Sequence, residues 1–214
     1  ANKLFNMEEL EAHKQKLHEK RLKVGCLTIN ANPFHLGHEY LVQYAASRVH
    51  KLFILVDQED KTDFSFADRF ELVKRGTAQF PNVEVLPSSK FFASMQTFSG
   101  YFNKESLQNV YVDSTDNAEM FAAEIAPSLG VTIKFDGEEP RDNVTRQYHD
   151  NLRTLLPRYG IEYCEIPRKE INGEAISAKT VRAALKVGDF EKLSTLVPKT
   201  TLEFLQQNDI KNTP

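Results

Sequence analysis

Ile29-Asn30-Ala31-Asn32-Pro33-Phe34-His35-Leu36-Gly37-His38-Glu39-Tyr40 is the stretch whose reading decides the fold. An apolar run, Val24-Gly25-Cys26-Leu27-Thr28-Ile29, precedes it, and Leu41, Ala45 and Val49 follow at four-residue intervals. Strand, tight turn and helix are expected in that order, the arrangement in which parallel α/β sheets hold phosphates at a helix N-terminus. His35 and His38, with Gly37 between them, stand where those phosphates would lie.

Downstream the alternation repeats. Leu52-Phe53-Ile54-Leu55-Val56 reads as a buried parallel strand. A helix from about Ala67 to Gln79, capped by Ser65 or Asp63, is closed by Pro81. Val83–Leu86, Val110–Val112, Val131–Phe135 and Ile161–Ile166 read as further strands. Ala118–Ala126, stopped by Pro127, and Val144–Leu156 read as helices between the later ones. Asn172-Gly173 is a polar turn, after which a Ser177-capped helix runs to Val187 and short helices follow. Residues 88–106 carry five Phe or Tyr without a clear period and read as an irregular segment over the sheet edge or pocket. Repeated β-α units predict an α/β protein with a Rossmann-like, doubly wound parallel sheet. Residues 1–22, a thin apolar stripe of Met7, Leu10 and Leu17 among charges, predict a short N-terminal helix or linker. Residues 23–214 then form one domain.

Composition narrows the class. A chain of 214 residues, 41% apolar and 27% charged, has the make-up of a globular protein with one substantial core. No apolar run reaches the roughly 20 residues of a membrane span, and the charged N-terminus is no signal peptide. A cytoplasmic protein without membrane partners is expected. Cys26 and Cys164 both lie in strand-like runs and read as buried thiols. A net charge of −3 argues against a general nucleic-acid partner.

Two motifs carry chemistry. Phosphoryl and nucleotidyl transfer need positive charge and hydrogen-bond donors aimed at oxygens that gain charge in the transition state. Histidines at a helix start supply both, beside the free N–H groups and the dipole, and Gly37 lets the backbone approach closely. His-x-x-His spacing also leaves zinc open, although no cluster elsewhere supplies the remaining ligands. The second motif is Ile176-Ser177-Ala178-Lys179-Thr180-Val181-Arg182. Ser177 as N-cap presents another helix N-terminus, and Lys179, Thr180 and Arg182 add side-chain donors.

Together these motifs resemble the nucleotidyltransferase superfamily with a His-x-Gly-His turn after the first strand and a late Ile-Ser-x-x-x-x-Arg motif. Within it the chain is similar to the nucleotidyltransferase domain of the citrate lyase ligases, from Val24 to about Leu205. Asn30-Ala31-Asn32-Pro33-Phe34, Asp68-Arg69, Gly76-Thr77, Thr97-Phe98, Tyr101-Phe102 and Ala126-Pro127 belong to the likeness. So do Leu129-Gly130, Glu139-Pro140, Val144-Thr145, Tyr148, Ile176-Ser177-Ala178 and Val181-Arg182.

The resemblance implies ATP, carrying Mg²⁺, with His35, His38 and Arg182 catalytic. Asn30, Ala31, Asn32, Phe34, Gly37, Ile176, Ser177 and Lys179 would bind the nucleotide, Ser177 and Arg182 closing over the phosphates. Acetate would be adenylated with release of pyrophosphate, and the acetyl group passed to a thiol on the acyl carrier subunit of citrate lyase. Gly137 and Glu139 lie at the C-terminal end of a strand, where open α/β sheets bind ligands, and are expected to line the base pocket. Arg69 is a candidate for acceptor or phosphate contact, or for a salt bridge. Arg141, Thr145, Arg146 and Tyr148 are candidates for the same cleft.

Three departures bear on this. The ligases normally carry an acetyltransferase-like domain ahead of this one, whereas residues 1–22 of this sequence read as a charged helix, as in a piece of a longer chain, a domain of another multidomain protein or a shorter relative. Val56-Asp57-Gln58-Glu59-Asp60 lacks the lysine expected after the second strand. Asp113-Ser114-Thr115-Asp116 replaces a Thr-Glu-Ile-Asp stretch. A cytidylyltransferase acting on a sugar or polyol phosphate, and a catalytically silent nucleotide-binding domain, are the alternatives.

Overall fold

The computed structural model describes residues 22–58, 62–88 and 115–212. Within them five parallel strands form one sheet. They are β1 (Val24–Ile29), β2 (Lys51–Val56), β3 (Val83–Pro87), β4 (Ile133–Gly137) and β5 (Glu162–Ile166), in the order β3-β2-β1-β4-β5. All four neighbouring pairs are parallel, and β1 pairs with β2 over its full length, Val24 against Lys51 to Ile29 against Val56. The chain winds one way from β1 to β2 and β3, then crosses back to β4 and β5. The switch therefore lies between β1 and β4, and a crevice opens at their C-terminal ends.

Side-chain alternation along β1 divides the core in two. Leu27 and Ile29 join Leu52, Ile54, Val56 and Phe135 on one face, under α1 (Leu36–Ala46) and α2 (Phe66–Thr77), which contribute Val42, Ala45, Leu72 and Val73. Cys26 points to the other face, with Leu55, under α3 (Thr115–Met120), the turns after it and α5 (Asn143–Leu155). A one-residue slip of β1 would exchange these sets and expose residues worth about 1.5–3 kcal/mol each, so the register is fixed. Gly25 is required at the crossing: a Cβ there would lie 2.9 Å from Phe135 Cε2.

The chain departs from expectation at Pro127. The helix does not stop there. It passes through a π-helical turn (Phe121–Ile125) into α4 (Ala126–Leu129), where Pro127 occupies the first turn, and ends at Gly130 in the left-handed conformation. A proline in a first turn forfeits no helical hydrogen bond, which is why the chain tolerates it.

Asn172-Gly173 also does more than turn. With φ of 53° and 79° it closes an antiparallel hairpin, β6 (Glu170–Ile171) with β7 (Glu174–Ala175), the conformation that favours Asn-Gly in two-residue hairpins. After it come α6 (Ala178–Lys186), α7 (Phe190–Leu196) and α8 (Lys199–Asn212), packed through Val181, Ala184, Leu193, Leu196 and Leu205. Among the described residues no helix is long and apolar enough to cross a membrane. The expected N-terminal helix, the strand Val110–Val112 and the aromatic segment from residue 89 lie outside the described residues.

Candidate active site

The turn after β1 is held from beneath by Arg69. This α2 side chain is wholly buried, and its guanidinium donates to the carbonyls of Asn30 (2.8 Å), Asp57 (2.8 Å) and Phe64 (3.2 Å) and to Asn30 Oδ1 (3.0 Å). The ends of β1 and β2 and the loop before α2 are thereby tied to one cation. Ala31 adopts a left-handed φ of 54°, and Asn32–Pro33 is a cis peptide. Phe34 then drops into the core against Gly76, where an added Cβ would come within 2.4 Å of the Phe34 ring.

His35 caps α1. Its Nδ1 accepts from Gly37 N–H at 3.0 Å, while His38 Nδ1 accepts from His35 N–H at 3.1 Å, a reciprocal capping box. The two rings stack with centroids 3.7 Å apart. Gly37 is needed because a Cβ there would meet His35 Cε1 at 2.7 Å.

Burial lowers the pKa of both imidazoles, with Arg168 adding to the effect at each. His38 falls to about 3, and His35, further lowered by His38 and Arg182, lies well below its ordinary value. Both are therefore neutral at physiological pH. With Nδ1 accepting, each carries its proton on Nε2 as a hydrogen-bond donor. This corrects one sequence expectation: the histidines bring donors to the cleft and no charge.

The opposite wall is the start of α6. Ser177 caps it, its Oγ accepting from Thr180 N–H at 3.2 Å. Arg182, one turn on, donates to Asn32 O at 2.8 Å and pairs through Nε with Asp63 Oδ2 at 3.2 Å. Asp63 also accepts from Asn32 Nδ2 at 3.2 Å, and Phe64 N–H donates to Asn32 Oδ1 at 3.0 Å. Turn, loop and helix close a triangle at this corner.

A third wall comes from the end of β4. Gly137 packs closely on Leu41, and Glu139 accepts from the N–H groups of Arg141 (3.1 Å) and Asp142 (3.3 Å) and from Arg168 at 2.8 Å. Arg168 also donates to Glu138 O at 3.0 Å. Below lies a buried polar floor, where Lys134 pairs with Asp136 at 2.5 Å and His149 sits 3.8 Å from Asp136 and 3.7 Å from Glu165. Alternation puts Lys134 and Asp136 on one face of β4, toward α5.

These walls enclose an open cleft of about 770 Å³ at the switch between β1 and β4. Asn30, Ala31, Asn32, His35, Gly37 and His38 line it. So do Gly137, Glu139, Thr145, Ile176, Ser177, Lys179 and Arg182.

Three candidates fall elsewhere. Phe34 is a core residue, Arg69 is consumed by main-chain oxygens, and Arg141 is exposed outside the cleft. Arg69 is buried beneath the turn and is not among the residues that line the cleft. Arg146 is likewise exposed, and Tyr148 is buried beneath the cleft, its phenol pKa pushed up by burial and then by Asp136. Sequence reasoning missed Arg168 and Lys169, which lie in the cleft immediately after β5. Their place at the C-terminal end of a parallel strand was the available signal.

Neither thiol is activated: burial pushes Cys26 up to about 12 and also raises Cys164, and both are free. Among the described residues no group of three or more His, Cys, Asp or Glu gathers as a metal site, and both histidine Nδ1 atoms face main-chain donors. The Asp113–Asp116 departure lies in or beside residues whose side chains are not described.

The citrate lyase ligase C-terminal domain family matches residues 24–205. Over 191 residues, 86% of this chain, identity to the citrate (pro-3S)-lyase ligase of Klebsiella pneumoniae is 39%. The same enzyme of Escherichia coli K12 is 39% identical over 189 residues, and that of Haemophilus influenzae 34% over 192. The chain spans about half the length of these relatives, 55% and 54% of the first two.

Two solved structures share the fold. Thermotoga maritima TmcAL bound with alpha-thio ATP superposes with a TM-score of 0.52 at 15% identity, over 89% of this chain and 56% of that one. A putative nicotinate-nucleotide adenylyltransferase from Vibrio parahaemolyticus gives 0.55 at 14%, over 86% and 99%.

Proposed function

This chain belongs to the citrate lyase ligase C-terminal domain family, and from that premise we propose that it adenylates acetate with ATP, releases pyrophosphate and passes the acetyl group to a carrier thiol. One observation carries the reading. Two helix N-termini, capped by His35 and Ser177, line a single cleft in which neutral histidine donors and the Arg182 guanidinium converge.

The triphosphate would lie between α1 and α6, its oxygens facing the Nε2–H groups of His35 and His38, the free N–H groups of both first turns, and Lys179 and Arg182. An acetate oxygen attacks the α-phosphorus, and the bond to the bridging oxygen of pyrophosphate breaks. Negative charge grows on that leaving oxygen, and donors fixed by the capping box meet it without reorganisation. The chain's remaining task is alignment. Neutral imidazoles suit it, since desolvated donors stabilise charge as it forms without binding the ground state as tightly as a fixed cation would.

The run Val56–Asp60 holds no lysine, and Arg168 and Lys169 supply cationic groups from the other side of the switch. Mg²⁺ would be held mainly by phosphate oxygens of the nucleotide. It would neutralise charge on the leaving pyrophosphate. The acyl carrier subunit of citrate lyase is the proposed acetyl acceptor, and the cytoplasm the proposed location.

The test is exchange of labelled pyrophosphate into ATP. Exchange that depends on acetate supports the proposal. Exchange into CTP with a phosphorylated sugar or polyol would replace it with a cytidylyltransferase. Nucleotide binding without exchange would identify a silent domain.

A further inference from the structure

A second cavity, of about 710 Å³, opens beside the nucleotide cleft and shares Asp63, Lys179 and Arg182 with it. Its size is that of a ligand site, yet the nucleotide already has a cleft of its own. Phe64, Leu185, Phe204 and Leu205 give it an apolar lining.

Along α6, Lys179, Arg182 and Lys186 recur at spacings of three and four, so they lie on one face. A basic stripe therefore runs from the cleft into the second cavity. Arg182 is paired with Asp63, whereas neither Lys179 nor Lys186 has an ion-pair partner among the described residues. Asp68 is the remaining acid of the lining. Unpaired cations above an apolar floor fit a partner that is anionic at its surface and carries an extended, less polar arm.

We propose that this cavity docks the acidic face of the thiol-bearing carrier and admits its arm past Lys179 and Arg182 into the space that pyrophosphate leaves. This rests on the acetyl-transfer reading above. The order of events follows from the shared wall: pyrophosphate departs, then the arm enters. The thiol sulfur bonds to the acetyl carbonyl carbon, the bond from that carbon to the adenylate oxygen breaks, AMP leaves with the electron pair, and the thiol proton goes to solvent. Because arm and pyrophosphate use the same space, each excludes the other.

The experiment uses the full chain, with the acyl carrier subunit of citrate lyase in its thiol form as probe. Acetate-dependent pyrophosphate exchange without carrier reports the chemistry; acetyl transfer against carrier concentration reports docking. Lys186→Glu is expected to leave exchange within about twofold and raise the carrier KM at least tenfold, with Lys186→Arg restoring it. Pyrophosphate is expected to inhibit competitively against carrier.

An unchanged carrier KM in Lys186→Glu, with exchange intact, overturns the proposal. So does weakened pyrophosphate binding with normal carrier affinity, which would make the stripe a product exit. If the wild-type chain shows no exchange, the acetate reading fails separately. Direct carrier binding by calorimetry then decides the docking site: weaker binding by Lys186→Glu supports it, and equal binding or none by wild type overturns it.

Discussion

His38 Nδ1 accepts the main-chain N–H of His35, and by doing so assigns the protons of the site. The same nitrogen cannot both cap the helix and carry a proton, so the donor is left on Nε2. The turn's fold thus uses one edge of the ring and leaves the other edge as a donor at the cleft.

Substitution separates the two edges. His38→Asn keeps an acceptor near the Nδ1 position and loses the Nε2 donor. It is expected to fold with a melting temperature close to wild type while exchange turnover falls about 10²-fold or more, the usual cost of a lost transition-state donor. Undiminished turnover would remove the histidine from the reaction.

Acidification gives a second readout. Above pH 6.5 His38 is neutral folded and unfolded alike, and its contribution to stability is fully present. As pH falls from 6.5 toward about 3, the unfolded chain takes up a proton that the folded site refuses, so stability declines. Urea midpoints between pH 7.5 and 5 should fall more steeply for wild type than for His38→Asn. Exchange rates should show no titration near 6.5 that His38→Asn abolishes.

Asp63 holds Arg182 in place without lining up as a phosphate ligand, so the two should act as a unit. Arg182→Ala is expected to lower exchange about 10²–10³-fold and Asp63→Ala about tenfold, with the double variant no worse than Arg182→Ala alone. Additive losses would show independent roles. Asp63 is exposed, so its removal should leave thermal unfolding unchanged.

Arg69→Met should act through stability. It strips part-buried carbonyls of Asn30, Asp57 and Phe64 of a donor, at about 1–3 kcal/mol for each group left unsatisfied. A loss of at least about 3 kcal/mol in denaturant unfolding is expected. A variant of wild-type stability with weakened ATP binding would instead place Arg69 at the ligand.

Much of this architecture is written locally. The β1 run, the Ser65 and Ser177 caps and the His35 turn each depend on residues within one helical turn, so pattern and spacing reveal them. Phe34 and Arg69 sit in equally distinctive motifs, yet burial decides their roles, and burial depends on Gly76 and on carbonyls far along the chain. Arg168 belongs to no motif; only the sheet order brings it opposite α1. Pro127 misleads because the π turn ahead of it places it at a helix start.

The dependence of the turn on Arg69 limits how far the turn could be moved by design. The twelve residues from Ile29 to Tyr40 look like a portable cassette, but their carbonyls are gathered by a cation supplied from another helix. Transplanted into a different parallel sheet, the cassette would carry its histidines without the scaffold that shapes it. The smallest unit that could be moved intact is therefore a strand, a turn and one residue of a later helix together.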